Sequence, residues 1–239
     1  MLQYETENYI FNYNENSKAK RDILEIAKYQ ESCYEYICNV LRIKPDFKIE
    51  YFLCETSEEV GRIFGDAYGD YEPCSGFCDL PNKIYAVYND EVQCIGFHED
   101  AHVISYLINR PNSCAIREGL AMYFDRKWWG IQNLDWTEYF VKTNKFIPID
   151  QLLNDDIFFN HDCTITYPIM GAFTDWLIAT YGIDQYLEFY KQEDVLNTIK
   201  EVYEKTPQEL NQLFVDYVVL FRIDERVEKR MNELFNQTL

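Results

Sequence analysis

The chain has 239 residues, 47% of them apolar and 17% aromatic, a composition that excludes an intrinsically disordered chain and allows a substantial core. A formal net charge of −19 argues against nucleic acid as a partner, because so acidic a surface repels phosphate backbones. No run reaches the roughly 18 apolar residues of a membrane span, and the acidic N-terminus lacks signal-peptide features. We therefore expect a cytoplasmic protein without membrane association.

The first third of the chain predicts helices separated by short strands. Apolar residues at helical spacing predict a long helix from Ser17 to Leu41, and a proline break followed by β-branched and aromatic residues predicts a strand from Phe47 to Cys54. Ser57 is predicted as the N-cap of a short helix. The segment from Glu72 to Leu80 is loop-like, whereas Lys83 to Asn89 alternates as a second strand.

Two helices are expected after the second strand. Asp90 followed by Gln93 resembles a capping box, which would open a helix that ends before Pro111. The next helix is predicted from about Ser113 to Gly130.

The rest of the sequence is helical in pattern. A strong helix is predicted from about Tyr167 to Thr180, with Pro168 at its first position and Gly182 as its stop. Thr206, in the sequence TPQE, is predicted to cap a long C-terminal helical segment.

These elements predict an α+β protein, in which a small N-terminal sheet precedes a mostly helical C-terminal half. The chain contains no repeat, low-complexity tract or flexible linker. We therefore expect one domain over residues 1–239, with sublobes at about 1–110 and 111–239.

The eight cysteines lack the signal peptide and short chain typical of a disulfide framework. Cys74 and Cys78 are close together, but three residues separate them, so the pair does not match the usual CxxC zinc knuckle. A second metal site or a redox pair there is the less favoured alternative. The other six lie in apolar contexts and are expected to be buried thiols: Cys33, Cys38, Cys54, Cys94, Cys114 and Cys163.

Two of the three histidines lie in the sequence IGFHEDAHVISYL. On a helix, His98 and His102 project from one face, close enough for both imidazoles to bind one tetrahedral ion at about 2.0–2.1 Å. Glu99 is rotated by about 100° from His98 and could hold a water molecule instead of the ion. One alternative is that both histidines are satisfied core residues. Another is a Cys-His-His site, because Cys94 continues their spacing.

The sequence REGLAMYFD supplies a candidate third ligand, Glu118. The short turn NRPNS returns the chain, and Gly119 permits close helix approach, so Glu118 could lie beside the histidines. Asp125, seven residues later on the same face, could accept the second ring N–H of a ligand histidine. Alternatively, Glu118 is a surface residue and Asp125 pairs with Arg126 or Lys127.

HEDAH followed by an EGLA helix resembles the gluzincin group of zinc metallopeptidases, and within it the small peptidase-MA-like domains. The resemblance implies a zincin-like fold and one catalytic Zn²⁺. His98, His102 and Glu118 would then be the zinc ligands, and Glu99 the general base. The likeness extends over most of the chain, but only the block from His98 to Asp125 is specific.

The resemblance also implies roles outside this block. The strand from Lys83 to Asn89 would form the sheet edge against which an extended substrate docks. Tyr167 falls where such proteins often carry a tyrosine that hydrogen-bonds the tetrahedral intermediate, and His161, in the preceding loop, is another candidate oxyanion donor. The chain departs from the family pattern in two places: only fifteen residues separate His102 from Glu118, and Arg117 replaces the common Asn or Ser.

We therefore expect zinc-dependent hydrolysis of peptide bonds in a peptide or protein substrate. The alternatives are a non-catalytic zincin-fold module that binds metal or another protein, and a metallohydrolase that acts on non-peptide bonds. The GxMEN motif of the large aminopeptidases is absent. This absence removes the main reason to propose an aminopeptidase. The sequence leaves open whether the enzyme is an exopeptidase or an endopeptidase, what its natural substrate is and what its oligomeric state is.

Overall fold

The computed structural model of the chain describes residues 1–69, 71 and 73–238. As predicted, the protein is a mixed α/β structure, with a small N-terminal sheet followed by a mostly helical C-terminal half. The chain forms two compact units, Met1–Ile108 and Asn109–Leu239. In the described ranges no helix is long and apolar enough to cross a membrane. The expected single domain stays a prediction.

The N-terminal unit contains a five-stranded sheet. Its strands are β1 (Leu2–Glu5), β2 (Tyr9–Tyr13), β3 (Ile49–Cys54), β4 (Gly76–Asp79) and β5 (Lys83–Val87), arranged in the order β1-β2-β3-β5-β4. The central strands β2, β3 and β5 are parallel, and β1 and β4 pair antiparallel at the two edges.

The edges of the sheet differ from those that the sequence predicts. Strands β1 and β2 were not predicted, and β4 forms within the segment expected to be a loop, of which residue 72 lies outside the described residues. Strand β5, predicted as the edge, is internal because β4 pairs along its outer side. The ring of Phe77 in β4 stacks on that of Tyr85 in β5 at 5.1 Å between centroids. This cross-strand packing stabilises β4, although the residues around it are typical of turns.

Three helices complete the N-terminal unit: α1 (Lys18–Leu41), α2 (Ser57–Tyr68) and α3 (His98–Ser105). Helix α1 begins as predicted, because the Ser17 hydroxyl accepts a hydrogen bond from the Lys20 N–H. Helix α2 is capped by Thr56 and not by Ser57. The rings of Tyr9 and Phe11 stack at 5.1 Å in the fully buried core of the unit.

The predicted capping box at Asp90 is wrong. The side-chain oxygen of Asn89 accepts hydrogen bonds from the backbone N–H groups of Glu91 and Val92, so this stretch forms a turn. Such local side-chain bonds compete with helix formation. Helix α3 therefore begins only at His98 and ends at Ser105, well before Pro111.

The C-terminal unit is built from helices and one short hairpin, β6 (Lys127–Trp128) and β7 (Ile131–Gln132). Its helices are α4 (Cys114–Asp125), α5 (Asn133–Lys142), α6 (Ile149–Leu152), α7 (Asp155–Phe159), α8 (Cys163–Tyr181), α9 (Ile183–Tyr190), α10 (Val195–Tyr203), α11 (Pro207–Val218) and α12 (Glu225–Thr238). Thr206 and Glu209 form the predicted capping box at the start of α11.

Two predicted helix boundaries in this unit are wrong. Helix α4 ends at Asp125 and not near Gly130, because its C-cap residue Arg126 is left-handed, with a φ of +63°. Trp129 and Gly130 also have positive φ and form the tight turn of the β6–β7 hairpin. Helix α8 begins at Cys163, where the Asp162 carboxylate accepts the Thr164 N–H at 2.8 Å. Pro168 therefore lies inside α8 and not at its first position.

Gly119 allows a close approach between α4 and α8. A Cβ built at Gly119 would lie 2.7 Å from Oγ1 of Thr174 and 3.0 Å from the carbonyl oxygen of Met170. No larger residue fits there without a shift of one helix. Within the C-terminal unit, the close contact that Gly119 permits is thus made with α8.

None of the eight cysteines is part of a disulfide bond. Cys33, Cys54 and Cys114 are buried, as expected, and Cys38 and Cys94 are partly buried. Cys163 is exposed, which corrects the prediction, because it opens the first turn of α8. Cys74 and Cys78 are partly buried and do not form a disulfide bond.

Candidate metal centre

The sequence HEDAH forms the first turn and a half of α3. The rings of His98 and His102 lie 5.0 Å apart between centroids, with their planes at 82°. His98 is partly buried, whereas only 6% of His102 is exposed. Helical spacing thus places the two imidazoles one turn apart, as predicted.

Glu118 is the fifth residue of α4, the next helix along the chain, and it is partly buried. One ligand atom from each of His98, His102 and Glu118 lies within 4.8 Å of the other two. In a tetrahedral site with bonds of about 2.0–2.1 Å, donor atoms stand roughly 3.3 Å apart, so the grouping is of the size that one ion requires. Two imidazoles and one carboxylate are the donor set of a catalytic zinc site, so these residues fit the ion. The group does not include Cys94.

Tyr106 contacts His102 and was not singled out by the sequence analysis. Its hydroxyl oxygen lies 3.3 Å from Nδ1 of His102. If Nε2 of His102 binds a metal, Nδ1 carries the ring proton and its N–H donates a hydrogen bond to this hydroxyl, which holds the ring in that orientation. The i, i+4 spacing of the two residues on a predicted helix could have indicated the contact.

Glu99 lies beside the edge strand β4. A Cβ built at Gly76 would lie 3.3 Å from Oε1 of Glu99 and 3.3 Å from the carbonyl oxygen of Tyr85. The absence of a side chain at Gly76 therefore leaves room for the carboxylate. Glu99 itself is partly buried.

Asp100, the third residue of HEDAH, is fully buried. Its Oδ2 accepts a hydrogen bond from the Tyr9 hydroxyl and another from Nε2 of Gln30 at 3.0 Å. Burial, together with the negative charge of Asp100, raises the pKa of Tyr9 well above its ordinary value, so Tyr9 stays protonated and donates.

The remaining predicted residues belong to the C-terminal unit. Tyr167 is the fifth residue of α8, and its partly buried ring stacks on Phe158 at 6.0 Å between centroids. His161 is exposed in the turn between α7 and α8. Asp125 is the last residue of α4 and is partly buried. The catalytic roles of Tyr167 and His161, and the role of Asp125 in orienting a ligand histidine, stay predictions.

Comparisons with known proteins leave the family open. No protein-family model matches the chain, and no curated protein matches it. The resemblance to gluzincins therefore depends on the residues of HEDAH and of the EGLA helix alone.

Proposed function

We propose that the protein is a zinc-dependent peptidase of gluzincin type with a zincin-like fold. The observation that carries the proposal is the grouping of His98, His102 and Glu118, with Glu99 next to His98 on the same helix. These three residues would hold one Zn²⁺. When bound, the ion supplies a Lewis acid that activates water and polarises the scissile carbonyl.

Glu99 acts as the general base and then as the general acid. Its carboxylate takes a proton from the attacking water and delivers it to the leaving amine. Its place beside Gly76 supports this role, because Gly76 has no side chain that would crowd the carboxylate. The Tyr106 hydroxyl would accept a hydrogen bond from Nδ1 of His102 and so orient the ring with Nε2 toward the ion.

The developing oxyanion requires a hydrogen-bond donor, and we propose Tyr167 or His161 for this role.

Among the described strands, β4 is the edge strand beside Glu99. An extended peptide could add to such an edge through backbone hydrogen bonds, and this favours a peptide or protein as the substrate. Eight cysteines outside disulfide bonds fit a reducing compartment, so we place the enzyme in the cytoplasm.

The test compares Glu99→Gln with Glu91→Gln, a matched change at an exposed glutamate of the same unit. We expect zinc-dependent cleavage of a mixed peptide library to fall by at least about 100-fold in Glu99→Gln, with the zinc content unchanged, because the base is lost and the ligands are kept. Glu91→Gln should cleave like the wild type. Equal cleavage by Glu99→Gln and wild type would exclude the proposed base. A wild-type protein that binds zinc and cleaves no peptide would favour the non-catalytic metal-binding module.

A further inference from the structure

Helix α3 lacks the usual device that fixes the start of a helix. Phe97 occupies its N-cap position, and its apolar side chain makes no capping hydrogen bond. With only eight residues, α3 also has few turns through which packing could set its orientation. Yet His98 and His102 must point accurately for two ring nitrogens to meet one ion.

The first turn of α3 is instead held by residues from α1 and β2. Nε2 of Gln30 donates to Oδ2 of Asp100 at 3.0 Å and to the carbonyl oxygen of Gly96, before the helix, at 3.1 Å. The Tyr9 hydroxyl donates to the same Oδ2 and lies 3.2 Å from the carbonyl oxygen of Gln30. Tyr9, Gln30 and Asp100 are each 0% exposed. We call these three residues the clamp.

The clamp holds α3 on the side away from the histidine rings. Asp100 follows His98 by two residues, which is a rotation of about 200° around the helix axis. The two donors approach its carboxylate from different elements, so they resist both rotation and sliding of the helix. Gly96 allows the chain to turn into α3, because its φ of +129° is a backbone conformation that residues with a side chain rarely adopt.

The choice of a carboxylate here is informative. A buried carboxyl group is costly to desolvate, and an apolar residue at this position would pack against the core without that cost. What the hydrogen-bonded network adds is direction, because hydrogen bonds are sensitive to distance and angle in a way that apolar contacts are not. A histidine nitrogen lies roughly 6 Å from the helix axis, so a rotation of about 10° moves it by about 1 Å. Functional sites tolerate only about 0.5 Å of such displacement.

We propose that the clamp of Tyr9, Gln30 and Asp100 sets the orientation of α3 so that His98 and His102 converge on one ion. Its members are positioning residues, since they act through the helix and not on the substrate. The inference rests on the proposed metal site. It extends that proposal to a network whose two donors, Tyr9 and Gln30, lie outside the helix that carries HEDAH.

The test removes each donor in turn while leaving α3 unchanged. Tyr9→Phe deletes one hydroxyl, and Gln30→Met deletes both amide hydrogen bonds at similar volume. Tyr88→Phe is the matched control, because it deletes a hydroxyl that bonds the carboxylate of Asp22 on α1 at 3.0 Å. For each protein we would measure zinc affinity by competition with a chromophoric chelator, the absorption spectrum of the Co²⁺-substituted protein, stability in urea, and kcat and KM separately.

We expect Tyr9→Phe and Gln30→Met to lower zinc affinity by at least about tenfold, the lower end of losses seen when groups that orient metal ligands are removed. Their Co²⁺ spectra should shift, and kcat should fall with little change in KM. Tyr88→Phe should lose stability in urea and keep the wild-type affinity and spectrum.

Several outcomes would overturn the inference. One is wild-type zinc affinity and an unchanged Co²⁺ spectrum in both clamp variants, which would leave the peptidase proposal intact. Another is an equal loss of affinity in Tyr88→Phe, which would mean general destabilisation. A wild-type protein that binds no zinc would overturn the clamp and the peptidase proposal together. Zinc binding without peptide cleavage would remove the peptidase proposal alone, because the affinities still test the clamp.

Discussion

Gly119→Ala tests the close contact between α4 and α8 that holds the helix carrying Glu118. The new Cβ would stand 2.7 Å from Oγ1 of Thr174 and 3.0 Å from the backbone oxygen of Met170. Ordinary van der Waals contact begins at 3.4 Å, so the backbone contact alone requires a shift of 0.4 Å, the difference between 3.4 and 3.0 Å. A threonine side chain can rotate away, whereas a carbonyl oxygen inside a helix cannot.

We expect Gly119→Ala to destabilise the protein by about 1–2 kcal/mol. Overpacking costs about 1–3 kcal/mol, and the better helix propensity of alanine returns roughly 0.5–1 kcal/mol of that cost. For a chain of this size each kcal/mol corresponds to about 2–4 °C in Tm. Equilibrium urea denaturation of the metal-free protein gives the free energy of unfolding without any contribution from bound zinc.

The double variant Gly119→Ala, Thr174→Ala provides the control. Removing the Thr174 side chain relieves the nearer of the two contacts, so the cost of the alanine at position 119 should be smaller in the Thr174→Ala background than in the wild type. A Gly119→Ala protein as stable as the wild type, or more stable, would refute the reasoning, because helix propensity would then outweigh a contact that is not tight.

Three further predictions concern the candidate site and the buried thiols. Tyr106→Phe should lower zinc affinity by about 10–100-fold, because His102 loses the group that holds its ring; chelator competition measures the change, and unaltered affinity would contradict it. Gly76→Ala should lower kcat while zinc content stays at the wild-type level, since the new methyl group would press on Oε1 of Glu99 at 3.3 Å; an unchanged kcat would show that the carboxylate moves away freely. Burial raises the pKa of Cys54 from 9.0 to about 12, so the folded state keeps a proton that the unfolded state releases above pH 9. The contribution of Cys54 to the free energy of unfolding is therefore fully present below pH 9, and it falls by about 1.4 kcal/mol per pH unit as the pH rises toward 12. Urea denaturation at a series of pH values should show that the free energy of unfolding falls less steeply with pH in Cys54→Ala than in the wild type, and an equal fall in both proteins would contradict the prediction.

The ligand candidates could be predicted from the sequence because their pattern is local. His98 and His102 lie one helical turn apart, and Glu118 follows on the next helix after a short turn. Helical periodicity and a short connection carry that information without reference to the rest of the chain. The α+β class likewise followed from strand and helix patterns along the chain.

The clamp and the sheet edges could not be predicted in this way. Tyr9 and Gln30 lie 91 and 70 residues from Asp100 in the sequence, and no local pattern links residues so far apart. Strand β4 has only four residues among turn-forming neighbours, so its partner β5, and not its own sequence, makes it a strand. At Asp90 the capping pattern was present, but Asn89 formed a competing turn.

The most direct test of the proposed metal centre is zinc content by elemental analysis after identical purification of three proteins. These are the wild type, Glu118→Ala, and Glu138→Ala as a matched control at another partly buried glutamate. We predict about one zinc per chain in the wild type and in Glu138→Ala, and much less in Glu118→Ala, because only Glu118 belongs to the group of three ligands. Full occupancy in Glu118→Ala, or no zinc in the wild type even after reconstitution, would contradict the proposal.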